Sequence, residues 1–212
     1  VPGGRMAAQV RLRATAPAGT RLRVRLTRAG EDLGAADVPV EGSVADVSVA
    51  IPRQANGQLY ERLLWSPDSP VLLDAEVALL APDGTELDRL ESYCGLRSVA
   101  TEGGTLLLND RPFYLRSVLE QGYWPESHLT PPSPDALRAE VQLTKDLGFN
   151  AVRVHQKVED PRYLYWCDVL GLAVWSETAG AYRFSDEAVA QLTREWLDLV
   201  RRDVSHPSII AW

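Results

Sequence analysis

Polar and aromatic residues gather at the ends of three apolar segments in the second half of the chain. They are Glu120, Gln121, Tyr123 and Trp124 after the first segment, Arg153, His155 and Lys157 at the end of the second, and Trp175 and Glu177 at the end of the third. Carboxylates and guanidinium groups hydrogen-bond hydroxyls, and indole rings stack on the apolar face of a sugar. This set of side chains therefore suits a polyhydroxylated ligand.

Other common kinds of site find no support in the sequence. No glycine-rich loop follows any apolar segment, so a phosphate or nucleotide site is not indicated. Neither a nucleophile elbow nor a zinc-binding cluster is present, and Cys94 and Cys167 are isolated thiols that we interpret as buried small apolar residues. No cofactor is predicted.

The residues from 98 onward alternate strand-like and helix-like segments. "GGTLLLNDRPFYLRSV" predicts a hairpin that turns at Asn109-Asp110 and leads into a buried strand from Tyr114 to Leu119. "NAVRVH", "LAVWSE" and the terminal "SIIAW" predict three further strands. Such repeated β-α-β units form a parallel sheet, either doubly wound or closed as a (β/α)8 barrel, and polar residues at the carboxyl ends of its strands meet at one edge.

Three helices are expected between these strands. The first is capped by Ser133, has Pro134 at its first position and ends at Gly148. The second is "DPRYLYWCDVLG". The third is "SDEAVAQLTREWLDLVRRDV", whose apolar face comprises Val189, Leu192, Trp196, Leu199 and Val200.

The first 97 residues follow a different pattern. "QVRLRAT", "RLRVRLT" and "VADVSVAI" alternate apolar with polar residues, as strands with one buried and one wet face do, and a last strand is expected in "ELDRLESYCGLR". Short strands separated by turn residues, without a helical period, predict an immunoglobulin-like β-sandwich.

The amino-acid composition argues against two classes of binding partner. The formal net charge of −7 argues against nucleic acid or an anionic membrane surface as a partner. No run of eighteen apolar residues predicts a membrane span, and the opening "VPGGRMAAQV" does not resemble a signal peptide. A soluble chain is expected, and its compartment stays undecided.

Six phrases together resemble glycoside hydrolase family 2, the family of β-galactosidases, β-glucuronidases and β-mannosidases. They occur in order as "LLWSPDSPVLLDAEVAL", "YCGLRSV", "LLLNDRPFYLRSV", "LTKDLGFNAVRVH", "CDVLGLAVWSE" and "HPSIIAW", and the resemblance covers nearly the whole chain. The resemblance implies an immunoglobulin-like domain over residues 1–97 and the N-terminal half of a (β/α)8 glycosidase barrel over residues 98–212, truncated at its fourth strand.

The resemblance also implies where catalysis takes place. In the family an Asn-Glu pair carrying the general acid/base follows the fourth strand, and the nucleophile glutamate comes later, so both lie beyond Trp212. A retaining glycosidase needs both carboxylates. The 212 residues are therefore predicted to contain no catalytic residue and to be inactive alone, whereas the parent is a retaining exo-glycosidase for terminal β-linked sugars.

The remaining rim residues receive substrate-binding or supporting roles from the same resemblance. Arg153 is expected to reach the sugar subsite or to hold a catalytic carboxylate, and Glu177 to orient the missing acid/base. His155 departs from the commonest family pattern, in which Ser-His follows the arginine one position later, but it points to the same side of the strand as Arg153.

Roles for the other candidates stay open between ligand binding and structure. Trp124 either stacks on a sugar or packs its loop, Glu120 binds a hydroxyl or supports another residue, and Lys157 is either functional or solvated. Gln121 and Tyr123 lie in the first-strand loop. Some family members hold magnesium through residues that correspond here to Ala181 and Arg183, so no metal is expected.

Three functions remain open from the sequence. The favoured one is a part of a family 2 exo-glycosidase with an oligosaccharide or glycoside substrate. The second is a non-catalytic carbohydrate-binding or interaction protein derived from the family. The third is a different barrel enzyme that uses Glu177 and His155 as an acid/base pair. Because half a barrel exposes two strand edges, self-association through those edges is also expected.

Overall fold

A computed structural model describes residues 5–13, 15–55 and 60–212, without the side chains of residues 55, 60 and 61. The chain forms two compact units. The first contains the residues up to Leu64 together with Val71–Leu96, and the second contains Trp65–Pro70 and Arg97–Trp212. Residues 1–4, part of the opening in which no signal peptide is expected, lie outside the described residues.

The strands and helices are numbered along the whole chain. The strands are β1 (Arg5–Arg11), β2 (Arg21–Arg28), β3 (Glu31–Pro39), β4 (Val44–Ala50), β5 (Trp65–Ser66), β6 (Ser69–Pro70), β7 (Leu73–Leu80), β8 (Glu86–Cys94), β9 (Val99–Glu102), β10 (Thr105–Leu108), β11 (Arg111–Pro112), β12 (Ser117–Glu120), β13 (Ala151–Val154), β14 (Ala173–Trp175) and β15 (Ile209–Ala211). The helices are α1 (Pro52–Ala55), α2 (Pro134–Asp146), α3 (Pro161–Leu170) and α4 (Asp186–Asp203), and a 3-10 turn spans Tyr60–Leu63.

The first unit contains antiparallel strands, as the alternating sequence predicts. One sheet has the order β3-β2-β7-β8, and β1 pairs with β4. Strand β2 shows why the sequence alternates. Leu22, Val24 and Leu26 are buried in the core. The arginines between them are exposed and pair with Asp37 and Asp32. One face of the strand is therefore apolar and the other is ionic.

The first strand begins earlier than the sequence pattern indicates. The pattern predicts it over residues 9–15, whereas β1 runs from Arg5 to Arg11 and pairs with β4 from Arg5↔Ala50 to Arg11↔Val44. The seven-residue length of β4 limits the ladder, so cross-strand pairing rather than local alternation determines where β1 ends.

The β5–β6 hairpin belongs to the second unit, although it lies in sequence between strands of the first. Trp65 is completely buried and its indole N–H donates to the backbone carbonyl of Asp168 at 2.8 Å. Lys145 donates to the carbonyls of Pro67 at 2.9 Å and Gly171 at 2.8 Å. A single division near residue 97 therefore misplaces these six residues, because contacts with α2 and α3 cannot be deduced from the local pattern.

The predicted hairpin turn at Asn109-Asp110 is confirmed. Both residues have positive φ, 54° and 62°, and they join β10 to β11. The following strand is shorter than predicted, because β12 begins only at Ser117, where its pairing with β13 starts. Tyr114, expected at its start, is 80% exposed and lies outside the strand.

The four strands expected after residue 98 form one parallel sheet in the order β12-β13-β14-β15. The register places Val118 beside Val152, Val152 beside Val174, and Val174 beside Ile209. The terminal "SIIAW" thus supplies the fourth strand, as predicted, and the carboxyl ends of all four strands lie at one edge of the sheet.

The three helices of the second unit occur where the sequence predicts them. Ser133, Asp160 and Ser185 cap α2, α3 and α4 through side-chain oxygens that accept from backbone N–H groups. Gly171 ends α3 in the left-handed conformation. None of the helices in the described residues is long and apolar enough to span a bilayer.

The parallel sheet has a different apolar core on each face. Val152 and Val174 pack with the apolar residues of α2 and α3 on one face, which we call the helix face. Ala151, Ala173 and Ile210 lie on the opposite face, where their cluster includes residues of the β9–β11 region. Because side chains alternate along a strand, Arg153 and Trp175 point to this opposite face.

The predicted apolar face of α4 is buried only towards its end. Leu199 is buried, whereas Val189 in the first turn is 62% exposed. Asp203 at the end of the helix is buried and accepts hydrogen bonds from Arg202.

Candidate functional site

Arg153 and Glu177 form the centre of the candidate site at the carboxyl edge of the parallel sheet. Nε and Nη2 of Arg153 donate to the same carboxylate oxygen of Glu177, at 3.0 and 2.9 Å. The other oxygen accepts from the backbone N–H of Gln156 at 3.1 Å. The two side chains are 41% and 26% exposed, so both can reach a bound ligand.

The surroundings of Glu177 favour its ionised form. Partial burial acts to raise its pKa, but the hydrogen bonds from Arg153 and Gln156 and the charge of Arg153 outweigh burial, and the pKa lies below its ordinary value. Glu177 is therefore a carboxylate that accepts hydrogen bonds, rather than a group that stores a proton for an acid step.

Trp175 lies beside this ion pair. The guanidinium carbon of Arg153 is 5.3 Å from the centroid of the Trp175 ring, within the range of a cation–π contact. Trp175 remains 42% exposed, so its ring can also contact a ligand. Arg153 is held by Glu177 and by Trp175, which restricts its rotamers.

Gln121 and His155 form a second pair at the same edge. Nε2 of Gln121 lies 2.7 Å from Nδ1 of His155. The residues follow the adjacent strands β12 and β13, and the backbone N–H of His155 donates to the carbonyl of Glu120 at 2.9 Å. The structure thus brings together Arg153, His155, Glu177 and Gln121, four of the residues singled out from the sequence.

Glu120 and Lys157 lie elsewhere. Glu120 is on the helix face of the sheet and only 8% exposed, and Lys157 pairs with the buried Glu159 at 2.5 Å. Burial raises the pKa of Glu120 to about 8, and Glu159 adds to the rise while Lys157 opposes it. A protonated Glu120 can donate to Glu159, whereas two ionised carboxylates could not hydrogen-bond each other.

Three residues of this buried cluster were missed from the sequence: Glu140, Glu159 and Tyr163. Burial raises the pKa of Glu140, and the charge of Glu159 adds to the rise. The Tyr163 side chain is completely buried and its hydroxyl has no hydrogen-bond partner in the described structure. The sequence could have indicated Glu140, because it lies three residues after Leu137 and therefore on the apolar side of α2.

Gly122 makes room for this cluster. Its φ is +64°, and a Cβ at this position would lie 1.8 Å from the Lys157 ammonium nitrogen. Clefts of about 360 and 340 Å³ open beside Gly122 and Glu140 on the helix side, and neither is lined by Arg153 or Glu177. The cluster is thus separate from the Arg153–Glu177 pair.

The two aromatic candidates of the first-strand loop differ in burial. Trp124 packs against the helix-face core, and its backbone exchanges two hydrogen bonds with His128, at 2.6 and 2.9 Å. Tyr123 is largely exposed. Trp124 is thus half-buried in the packing of its loop and also lines the 360 Å³ cleft, whereas Tyr123, two residues after Gln121, is accessible.

His206 serves the structure of the sheet. Its Nδ1 lies 2.6 Å from a carboxylate oxygen of the buried Asp168, whose other oxygen accepts from the backbone N–H of Ser208 at 2.9 Å. Throughout the described ranges, no three His, Cys, Asp or Glu side chains are grouped so as to hold a metal ion.

A parallel β/α sheet with polar residues at the carboxyl ends of its strands is the arrangement of barrel-type enzymes. Residues 99–212 match the family model described as glycosyl hydrolases family 2, TIM barrel domain. The chain belongs to glycoside hydrolase family 2.

Curated relatives agree with this assignment. The chain is 31% identical to β-galactosidase 2 of Enterobacter cloacae over 189 residues, which are 84% of this chain and 18% of that protein. It is 31% identical to the β-galactosidase of Vibrio cholerae over 159 residues, or 70% of this chain and 15% of that protein. The chain thus spans less than a fifth of the length of either relative.

Solved structures show the same fold. A β-glucuronidase of Bacteroides uniformis superposes with a TM-score of 0.77 at 22% identity, covering 97% of this chain and 25% of that one. A β-glycosidase of Bacteroides vulgatus gives a TM-score of 0.75 at 20% identity, covering 98% and 28%.

Proposed function

We propose that this chain is part of a retaining exo-glycosidase that removes a terminal β-linked sugar. In this proposal residues 1–97, apart from the Trp65–Pro70 hairpin, form an immunoglobulin-like domain, and residues 98–212 form the first half of a (β/α)8 barrel. The two catalytic carboxylates belong to other parts of the polypeptide, so the 212 residues supply scaffold and part of the sugar-binding rim.

The observation that carries the proposal is the group formed by Arg153, Glu177, His155 and Gln121. It lies at the carboxyl edge of a parallel sheet in a family 2 chain and combines donors, acceptors and an exposed indole. These groups can hydrogen-bond sugar hydroxyls and stack on a sugar ring. The relatives bear the names of β-galactosidases and β-glucuronidases, which supports a terminal β-galactoside or β-glucuronide as substrate.

The geometry disfavours Glu177 and His155 as an acid/base pair. A general acid must carry a proton near the working pH, whereas Arg153 and Gln156 hold the pKa of Glu177 below its ordinary value. Glu177 is better suited to keep Arg153 in place, with Arg153 acting on the substrate or on a catalytic carboxylate.

The edges of the sheet support a partial barrel. Among the described strands, β12 and β15 each pair on one side only. We propose that the remaining strands of the barrel pair with these edges. When the 212 residues are produced alone, a second copy could occupy the same edges, because unpaired backbone groups favour association.

The test compares matched variants of the full-length polypeptide that carries this sequence. Arg153→Lys keeps the charge but loses the two-nitrogen contact with Glu177, and its kcat/KM on aryl β-galactosides or β-glucuronides should fall. Arg138→Lys is the control, because Arg138 also lies over a tryptophan ring, Trp166, at 5.5 Å, but on α2. The proposal fails if the polypeptide turns over none of the aryl glycosides, and binding without turnover would favour a carbohydrate-binding protein.

A further inference from the structure

We infer that Gln121 is a positioning residue that fixes His155 as the neutral tautomer with its proton on Nε2. The inference deepens the proposed function and rests on it for its catalytic meaning. In this state His155 offers a sugar hydroxyl one oriented N–H donor without adding charge to the site.

The atoms of the contact determine the tautomer. The amide nitrogen of Gln121, which only donates, lies 2.7 Å from Nδ1 of His155, so Nδ1 must accept. A doubly protonated ring would point an N–H at an N–H. This arrangement fits a ring with a single proton, carried on Nε2.

Both side chains are anchored by the sheet. Glu120 pairs with Val154 in the β12–β13 register, and the next hydrogen bond in the ladder joins the N–H of His155 to the carbonyl of Glu120 at 2.9 Å. Gln121 follows directly on β12. Because the two backbones are fixed to each other, the amide and the ring meet without ordering a loop.

A neutral His155 ring keeps the charges at this part of the rim balanced. Arg153 is balanced by Glu177, so a neutral His155 leaves this part of the rim without excess charge. A hydroxyl that receives Nε2–H from His155 can in turn donate to an oxygen of Glu177. Loss of the Gln121 contact would let the ring rotate or move its proton to Nδ1, which would turn Nε2 into an acceptor.

The experiment reads the tautomer directly. The full-length polypeptide is labelled with ¹⁵N-histidine, and magic-angle-spinning NMR is recorded with and without His155→Asn, so that the difference isolates His155. We expect Nδ1 without a proton and Nε2 with one. In Gln121→Glu, whose carboxylate only accepts, a proton should appear on Nδ1. Gln191→Glu, on the exposed surface of α4, is the matched control and should leave the signal unchanged.

Measurements of kcat/KM distinguish a failure of this inference from a failure of the proposed function. In Gln121→Glu we expect kcat/KM to fall about 10- to 100-fold, because the carboxylate draws a proton to Nδ1, and the ring then either loses its Nε2–H donor or becomes positively charged. A wild-type proton on Nδ1, or an unchanged tautomer in Gln121→Glu, overturns the inference even in an active glycosidase. Inactivity of the wild type with the expected tautomer instead overturns the proposed function.

A second variant tests the same inference if Gln121→Glu does not fold. Gln121→Met has a similar shape but no hydrogen-bonding group, so signals of both neutral tautomers are expected in place of one. A single Nε2-protonated signal in this variant would show that Gln121 does not set the tautomer.

Discussion

Arg153 uses two nitrogens to hold a single oxygen of Glu177, while the second oxygen of that carboxylate receives the backbone N–H of Gln156. The side chain that anchors the guanidinium is thus itself anchored by the turn that follows β13. The relationship places a positive group at the rim in a defined orientation.

Glu177→Gln should impair function much more than stability. The amide keeps the shape but loses the charge that holds Arg153, so kcat/KM of the full-length enzyme should fall about 10- to 100-fold. The pair is partly exposed, and unfolding free energy should change by no more than about 1 kcal/mol. Asp198→Asn, which removes the exposed pair with Arg201, is the control for loss of an ion pair and should leave kcat/KM unchanged.

Glu120 should make stability depend on pH. Its pKa is about 8 in the folded chain, against an ordinary value of 4.5, so the folded state binds this proton more tightly than the unfolded state. Its contribution is complete below pH 4.5, falls as the pH rises towards 8, and is absent above. In Glu120→Gln this fall should disappear.

Urea unfolding between about pH 5 and pH 9 measures the difference between wild type and Glu120→Gln. Glu126→Gln, in the exposed loop that follows β12, serves as the control and should keep the wild-type pH dependence. Parallel profiles for wild type and Glu120→Gln would contradict a proton held by Glu120.

Gly122→Ala should be more destabilising than its backbone conformation explains. Gly148 also has a positive φ, +89°, but a Cβ there meets nothing within 4 Å, so Gly148→Ala measures the backbone effect, about 1 kcal/mol. At Gly122 the Cβ would also push the Lys157 ammonium aside and weaken its contact with the buried Glu159, which should add about 1 kcal/mol. Equal changes in unfolding free energy would rule out this steric role.

Trp65→Phe should destabilise the second unit. The buried indole N–H donates to the carbonyl of Asp168, and phenylalanine would lose that hydrogen bond at a cost of about 1 kcal/mol. Trp196→Phe controls for ring size, since Trp196 is only partly buried. Hydrogen exchange of α3 amides is the measurement, and equal protection in the two variants would contradict the prediction.

Patterns between residues close in sequence predicted most secondary structure of the second unit and about half of the candidate site. Helix caps such as Ser133 and the turn at Asn109-Asp110 depend on neighbours in sequence, so they could be read directly. Arg153 and His155 share one side of β13 by simple alternation. The same alternation, applied from Val118, puts Glu120 on the helix face, away from Arg153.

The alternation of side chains between the two faces of β13 does not continue past the end of the strand. Lys157 lies two residues after His155, which would suggest the same side, but Gln156 has a φ of 53° and reverses the chain between them. Lys157 therefore turns towards Glu159. The positive φ of Gln156 has no signal in the sequence, and the N–H of this residue donates to Glu177, which is distant in sequence.

The assignment of Trp65–Pro70 to the second unit matters for protein engineering. Expression of residues 98–212 alone would omit the tryptophan that fills the space beside Asp168 and the carbonyl that receives Lys145. A second unit cut at residue 98 would thus have a hole in its interior. An expressed second unit therefore needs the "WSPDSP" segment as well as residues 97–212.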